Sequence, residues 1–346
     1  NARPIAWAAS VEVWNMTPRY DVVGIGNAIV DIIFAADDQF LLTHKIAKGS
    51  MMLVDEFRAQ VLLEGMASPR ETSGGSAANT MAGLASFQGK GLFIGKVKDD
   101  RLGVSFADDL RRIGCEYRTP MAKHGPSTAC CAIAVTPDGQ RSMSTYLGAC
   151  REMTPGDIDE AAIGECKFIY IEGYLWDAEA SKTTIRKAIA AAKRAGAKVA
   201  MTLSDAFCVG RFRNEFLELM REDIDILFAN EDEAKSLYET ESFDEALQRA
   251  RAWKGLAAIT RSAKGCVIAD ASGEVHVLDA EPVARVVDTT GAGDQFAAGV
   301  LYGLSRGKNL RDCGRLGAIA AAEIISHYGA RPETSLHALA AKAGVV

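Results

Sequence analysis

The sequence of 346 residues predicts an α/β protein: three layers, a mostly parallel central sheet covered by helices on both faces, with a second, small β-sheet attached. Three observations predict it. Beyond residue 153, short apolar runs alternate with segments of helical period. Two earlier stretches, 32–57 and 116–147, are β-rich and lack that period. The chain also opens at Tyr20 with the apolar burst YDVVGIG, short enough for a buried strand.

In order, the elements follow from local chemistry. Within 116–147, CCAIAV and RSMSTYL flank Pro137, Asp138 and Gly139, a hairpin signal. Residues 167–171 form a strand candidate. Ser181 then caps a helix whose Ile185, Ile189 and Ala192 share one face and which Gly196 ends. Residues 198–203 read as a strand, 213–221 as a helix, 224–229 as a strand, 243–253 as a helix and 257–260 as a strand. Residues 266–269 and 275–278 pair as a hairpin across 270–273. Downstream of residue 294, Phe296, Val300 and Leu304 recur every four residues in an amphipathic helix that ends near Gly307. The N-terminal residues 1–16 lack a basic region followed by an apolar core, so they do not read as a secretory signal; starting at Asn rather than Met, they are expected to be an extension or a cloning scar, with Met16 an alternative start and residues 17–346 the core. There is no internal repeat.

Composition excludes several classes. With 39 Lys+Arg against 45 Asp+Glu, the net charge of −6 argues against a nucleic-acid binder, which needs clustered cations. No run is long enough to span a membrane. The eight cysteines form no C-x-x-C pair and the five histidines no H-E-x-x-H, so no metal cluster is legible, and reduced thiols in a cytoplasmic protein are expected.

Four clusters carry chemistry. DTTGAGD, residues 288–294, runs into a helix N-terminus, where free amides and the dipole attract an anion. The amides of Gly291, Ala292 and Gly293 can hold a phosphate while Asp294, in the first turn, takes a hydroxyl proton. A lone GxGD is also an ordinary cap, but two acidic residues bracket this one. SGGSAANT, residues 73–80, offers Gly74, Gly75 and Asn79 for close approach to a polyol, although Gly-Gly before a helix is often only a loop. GIGNAIVD, residues 24–31, has Ile29 where a dinucleotide fingerprint needs glycine, which disfavours an oxidoreductase. Its Asn27 and Asp31 can hold vicinal hydroxyls, or serve as a turn Asn and a solvated Asp. NEDE, residues 230–233, suits a hydrated Mg²⁺ at Asn230 and Glu233, or a routine helix cap. G-x-x-x-x-G-K-S/T is absent, so this is no P-loop enzyme.

With these clusters in this order, the sequence resembles the PfkB carbohydrate kinases, a family that includes ribokinase, fructokinase and adenosine kinase, from about Tyr20 to near Pro332. DTTGAGD matches the carboxy-terminal signature, GGSAAN with the run to Asp99 and Gly103 the amino-terminal one, and NEDE the N-x-x-E motif. The resemblance implies a ribokinase-like fold and ATP-dependent phosphoryl transfer. It implies Asp294 as catalytic base, the 291–293 amides as anion hole, and Asn230 and Glu233 organising Mg²⁺ and phosphates, Glu233 through water. Thr260, Ser262 and Gly265 fall in the nucleotide loop, with Ser262 where glycine is common. Asp288 and Thr290 resemble part of a K⁺ site, and the β-rich stretches resemble the family's lid, free in a monomer or joining a homodimer. Within the family GIGNAIVDI looks most like adenosine kinases, which implies ribose contacts at Asn27, Asp31, Gly75 and Asn79, with Arg151 and Glu172 as further substrate contacts. Phe34, Tyr146 and Phe207 are candidates to stack on a base. The alternatives are a sugar kinase, another nucleoside kinase, or a non-catalytic nucleoside or sugar sensor.

Overall fold

The computed structural model describes residues 18–66 and 68–346; the expected extension at 1–16 lies outside them. Fourteen strands form two sheets among the described residues. In chain order they are β1 (Tyr20–Ile25), β2 (Ile29–Ala35), β3 (Met51–Leu53), β4 (Arg70–Gly74), β5 (Gly91–Ile94), β6 (Cys115–Tyr117) and β7 (Ala129–Val135). They continue with β8 (Arg141–Tyr146), β9 (Cys166–Glu172), β10 (Lys198–Thr202), β11 (Ile226–Asn230), β12 (Leu256–Thr260), β13 (Cys266–Ala269) and β14 (Val275–Leu278).

The central sheet runs β14-β13-β12-β11-β10-β9-β1-β5-β6. It is parallel from β12 to β6, with the antiparallel hairpin β13–β14 at one edge. Its strands are continuous apolar runs because both faces are covered. Val22, Tyr170, Ala200 and Phe228 pack on one side with the helices Ser76–Ser86, Ala292–Ser305 and Leu310–Ile324. Their neighbours Val23, Ile171, Val199 and Leu227 face the helices Glu179–Ala195 and Ala206–Glu222 on the other. This is the three-layer arrangement that the sequence predicts.

The small sheet runs β3-β8-β7-β2-β4. Its composition departs from the expected stretches at both ends. Cys115–Tyr117 pairs with β5 and belongs to the central sheet. Arg70–Gly74, not expected as a strand, pairs antiparallel with β2 and closes the small sheet directly before the Gly-Gly turn. The hairpin β7–β8 forms where Pro137–Gly139 predicts it.

Two helix starts also differ. Glu179–Ala195 begins two residues before Ser181, which is buried in its first turn and caps nothing; Ala178 is the N-cap. The helix expected from 213 begins at Ala206, because the Asp205 carboxylate accepts from Cys208 N–H; Phe212, with non-helical φ/ψ, divides it just before Arg213. All eight cysteines are free thiols and buried. No helix among the described residues is long and apolar enough to cross a membrane.

Candidate active site

Parallel strands end together, so the central sheet presents its carboxyl-end residues along one edge. Register sets Ile25 beside Ile171 and Ile94, Glu172 beside Thr202, and Asn230 beside Thr260. Above this edge the helices Ser76–Ser86 and Ala292–Ser305 begin close together. Asp294, in the first turn of the second, accepts a 2.6 Å hydrogen bond from the Ser76 hydroxyl at one oxygen and a 3.3 Å bond from the Asn79 amide at the other. Burial raises the Asp294 carboxyl above its ordinary value, against these two bonds and the Arg331 charge. A raised carboxylate beside a helix N-terminus is suited to accept a hydroxyl proton.

The helix carrying Asp294 starts at Gly291, whose φ of 79° turns the chain into the left-handed region. A Cβ at Gly293 would meet nothing within 4 Å, which leaves open space beside the first turn of the helix. First-turn amides have no intrahelical acceptor. Of the three amides expected to form an anion hole, that of Ala292 donates at 3.2 Å to Thr289 O.

Asp31, Gly74, Gly75 and Asn27 converge beside Asp294. A Cβ on Gly74 would fall 2.4 Å from the Asp31 carboxylate, and one on Gly75 2.2 Å from Asn27 O. Gly75 also holds φ at 90°. Burial raises the Asp31 carboxyl to about 6; Arg331 and Arg141 oppose the shift and Asp294 adds to it. Asp31 lies on β2, so the small sheet brings it to the cleft.

Glu172 is placed differently from its expected role. It is 1% exposed, and its oxygens accept from Asn27 N–H at 2.7 Å and Ala77 N–H at 2.9 Å. Burial raises it to about 7 despite those bonds. Glu172 therefore fixes the β1–β2 turn and the Ser76–Ser86 helix to the sheet edge from beneath. Arg151 is exposed on the 3₁₀ turn Gly148–Glu152 and makes no hydrogen bond to this cluster among the described residues. Of the candidate stacking aromatics, Phe34 is buried with Leu41 and Leu62. Phe207 is exposed beneath Arg211, and Tyr146 is half-buried at the end of β8.

Asn230 and Glu233 form a capping box. The Asn230 side chain accepts from Glu233 N–H at 2.8 Å, and Glu233 accepts from Asn230 N–H at 3.0 Å and from its amide at 2.6 Å. Both expected roles, cap and phosphate end, thus fall on the same residues. Burial raises Glu233 to about 7, with Asp205 and Asp294 adding to the shift. Both Glu233 oxygens already accept hydrogen bonds, and no group of three or more metal-ligating side chains gathers among the described residues, so the position fits Mg²⁺ held through its water shell rather than by direct ligation. Facing Asn230, the turn after Thr260 puts Ser262 at φ 51°, the conformation that explains the preference for glycine there. Gly265, at φ 79°, packs so closely that a Cβ would fall 1.9 Å from Leu278 O.

The expected K⁺ position is differently filled. One Asp288 oxygen accepts from Thr290 N–H at 3.0 Å and Thr290 hydroxyl at 2.7 Å; the other accepts from Gly329 N–H at 3.0 Å and from the guanidinium of Arg141. A cation already sits on this carboxylate, and the residues do not fit a K⁺ ion beside it.

Several residues that build the site have no sequence signal of their own. The Arg331 guanidinium donates to Ser73 O, Ser73 hydroxyl and Ala78 O beneath the Ser76–Ser86 helix. Gln295, fully buried, donates to Asn79 O at 2.8 Å and Ala330 O at 3.0 Å. Ser76 lies inside SGGSAANT, and its place at the first helical position is the signal that could have found it.

This fold and this sheet-edge site, with a carboxylate at a helix N-terminus under a small sheet, define a ribokinase-like phosphotransferase. A family model described as pfkB family carbohydrate kinase matches residues 50–336, and the chain belongs to that family. The structure matches the adenosine kinase from Sinorhizobium meliloti with a TM-score of 0.86 at 49% identity, over 94% of this chain and 99% of that one. It matches a probable sugar kinase protein from Rhizobium etli CFN 42 with a TM-score of 0.88 at 47% identity, over 95% and 100%. Adenosine kinase 2 of Arabidopsis thaliana is 26% identical over 341 residues, 90% of this chain and 96% of its own.

Proposed function

We propose that this protein is an adenosine kinase that transfers the γ-phosphoryl group of ATP to the 5′-hydroxyl of adenosine. The observation that carries this reading is Asp294, raised by burial and oriented by Ser76 and Asn79 where two helices begin. In the proposed reaction the 5′-hydroxyl lies against Asp294, which takes its proton as the oxygen attacks phosphorus. The free amides at the start of Ala292–Ser305 steady the charge on the transferred group. Asp31 accepts hydrogen bonds from the ribose diol over Gly74, whose lack of a side chain leaves room for the carboxylate. Asn79, whose amide donates to Asp294, orients the sugar toward the base. Asn230 and Glu233 hold Mg²⁺ through water, and the ion supplies charge neutralisation of the nucleotide phosphates when bound.

The likeness to the Sinorhizobium meliloti adenosine kinase supports the choice of acceptor. A second reading, a sugar kinase, is supported by the similar likeness to the Rhizobium etli protein. Purified protein incubated with MgATP and either adenosine, inosine, guanosine, ribose or fructose separates them through ADP and phosphorylated product. AMP formed preferentially from adenosine is expected. Turnover of a sugar alone would transfer the assignment to the second reading, and silence across the panel would contradict both.

A further inference from the structure

The ion pair between Arg141 and Asp288 has a consequence for what the enzyme needs from its solvent. Both side chains are nearly inaccessible, 9% and 6% exposed. Asp288 stands three residues ahead of Gly291, at the start of the turn that delivers the amides of the Ala292–Ser305 helix. It ties that turn to the 329–331 segment through Gly329 N–H, and the same segment packs on Gly291 and accepts from Gln295. The Asp288 carboxylate is therefore one of the joints that hold the anion-binding turn, beside the Gln295 bond to Ala330 O.

A buried carboxylate must be compensated by a positive charge. Burial alone would raise Asp288; the hydrogen bonds from Gly329 and Thr290, with the Arg141 charge, outweigh it and hold the group below its ordinary value, ionised. From the structure we infer that Arg141 is the built-in cation of this site, so that the protein works without a bound monovalent metal ion. The inference rests on the kinase reading for its catalytic consequence but not for its binding consequence. A K⁺ ion placed here would share one carboxylate with a fixed guanidinium and be repelled by it. It would also have to displace donors, because both oxygens of Asp288 already accept from N–H and O–H groups. Arg141 opens β8, so the compensating charge comes from the small sheet and reaches the loop across the cleft. Arg141 is a positioning residue in this scheme, acting on the amides through Asp288.

The test compares the full chain in KCl and in tetramethylammonium chloride at equal ionic strength, by thermal melting and by ADP release with the best acceptor of the panel above. For the unaltered protein the melting temperature is expected to match in the two salts, and turnover to agree within about 2-fold. Arg141→Gln is expected to lose about 10-fold or more of its turnover in tetramethylammonium, to recover most of it in KCl, and to gain a saturable K⁺-specific rise in melting temperature. Arg141→Lys, which keeps the charge, is expected to stay indifferent to K⁺. A saturable K⁺-specific melting shift or a 10-fold K⁺ activation of the unaltered protein would overturn the inference, as would an Arg141→Gln protein indifferent to K⁺ in both assays. Should Arg141→Gln fail to fold, the unaltered protein and Arg141→Lys still decide it. If no acceptor turns over, the kinase reading fails while the melting arm still reports on the cation.

Discussion

Replacing Ser76 with alanine removes one hydrogen bond from Asp294 and little else. The Ser76 hydroxyl donates to Asp294 at 2.6 Å, while its backbone carbonyl, which accepts from Thr80, is untouched by the change. That bond favours the ionised carboxylate, so its loss must raise the Asp294 pKa further. A hydrogen bond to a charged group contributes about 1.5–3 kcal/mol, and about 1.36 kcal/mol corresponds to one pKa unit. The full bond would thus move Asp294 by about one to two units. Asp294 is partly open to solvent, so water replaces some of what is lost, and a shift of about one unit is expected. If Asp294 is the base, the acid limb of kcat/KM moves upward by that amount, while the rate above the limb changes only a few-fold. The assay is kcat/KM against pH from about 5 to 9 with saturating MgATP, for the unaltered protein and Ser76→Ala. An acid limb that stays in place, or moves down, would refute the argument that this bond tunes the base.

Other outcomes follow from the same geometry. Asp31→Asn removes the charge that faces the acceptor and should raise KM for adenosine by about 10- to 100-fold with KM for ATP unchanged; steady-state kinetics in both substrates check this, and an unaltered adenosine KM would remove Asp31 from the sugar. Gly75→Ala sets a Cβ 2.2 Å from Asn27 O at φ 90° and should cost about 2–4 kcal/mol by denaturant unfolding. Gly210→Ala, where a Cβ meets nothing within 4 Å inside the Ala206–Glu222 helix, should be neutral or slightly stabilising, and equal effects of the two would contradict the close-contact argument.

The sequence made legible whatever a short window encodes. The central strands are unbroken apolar runs, and the Asp294 helix announces itself through glycines followed by a four-residue apolar repeat, so the sheet edge and its carboxylate could be placed together. The capping box at Asn230 and Glu233 was likewise foreshadowed, because cap and motif use the same residues. What stayed hidden depends on distant partners. Nothing local to Arg141 indicates that it meets Asp288, 147 residues away, or that Ser76 meets Asp294 across 218. Arg331 is a single charge in a short connecting segment until three acceptors from residues 73 and 78 surround it. Glu172 follows the strand candidate 167–171, but whether its carboxylate faced substrate or backbone was decided by two amides from other elements. The strand Arg70–Gly74 was missed because RETSG is polar and lies at the edge of a small sheet, so it lacks the apolar pattern of a strand although Ser73 and Gly74 are buried.

Asp294→Asn tests the proposed chemistry most directly. The amide keeps an oxygen to accept from Ser76 and has nearly the same shape, so folding and the nucleotide site should be preserved while the base is lost. Measured with MgATP and adenosine, kcat should fall by on the order of a thousand-fold or more, with ATP affinity by calorimetry within a few-fold of the unaltered protein. Turnover close to that of the unaltered protein, with ATP binding intact, would mean that another group accepts the proton and that Asp294 only ties the two helix starts together.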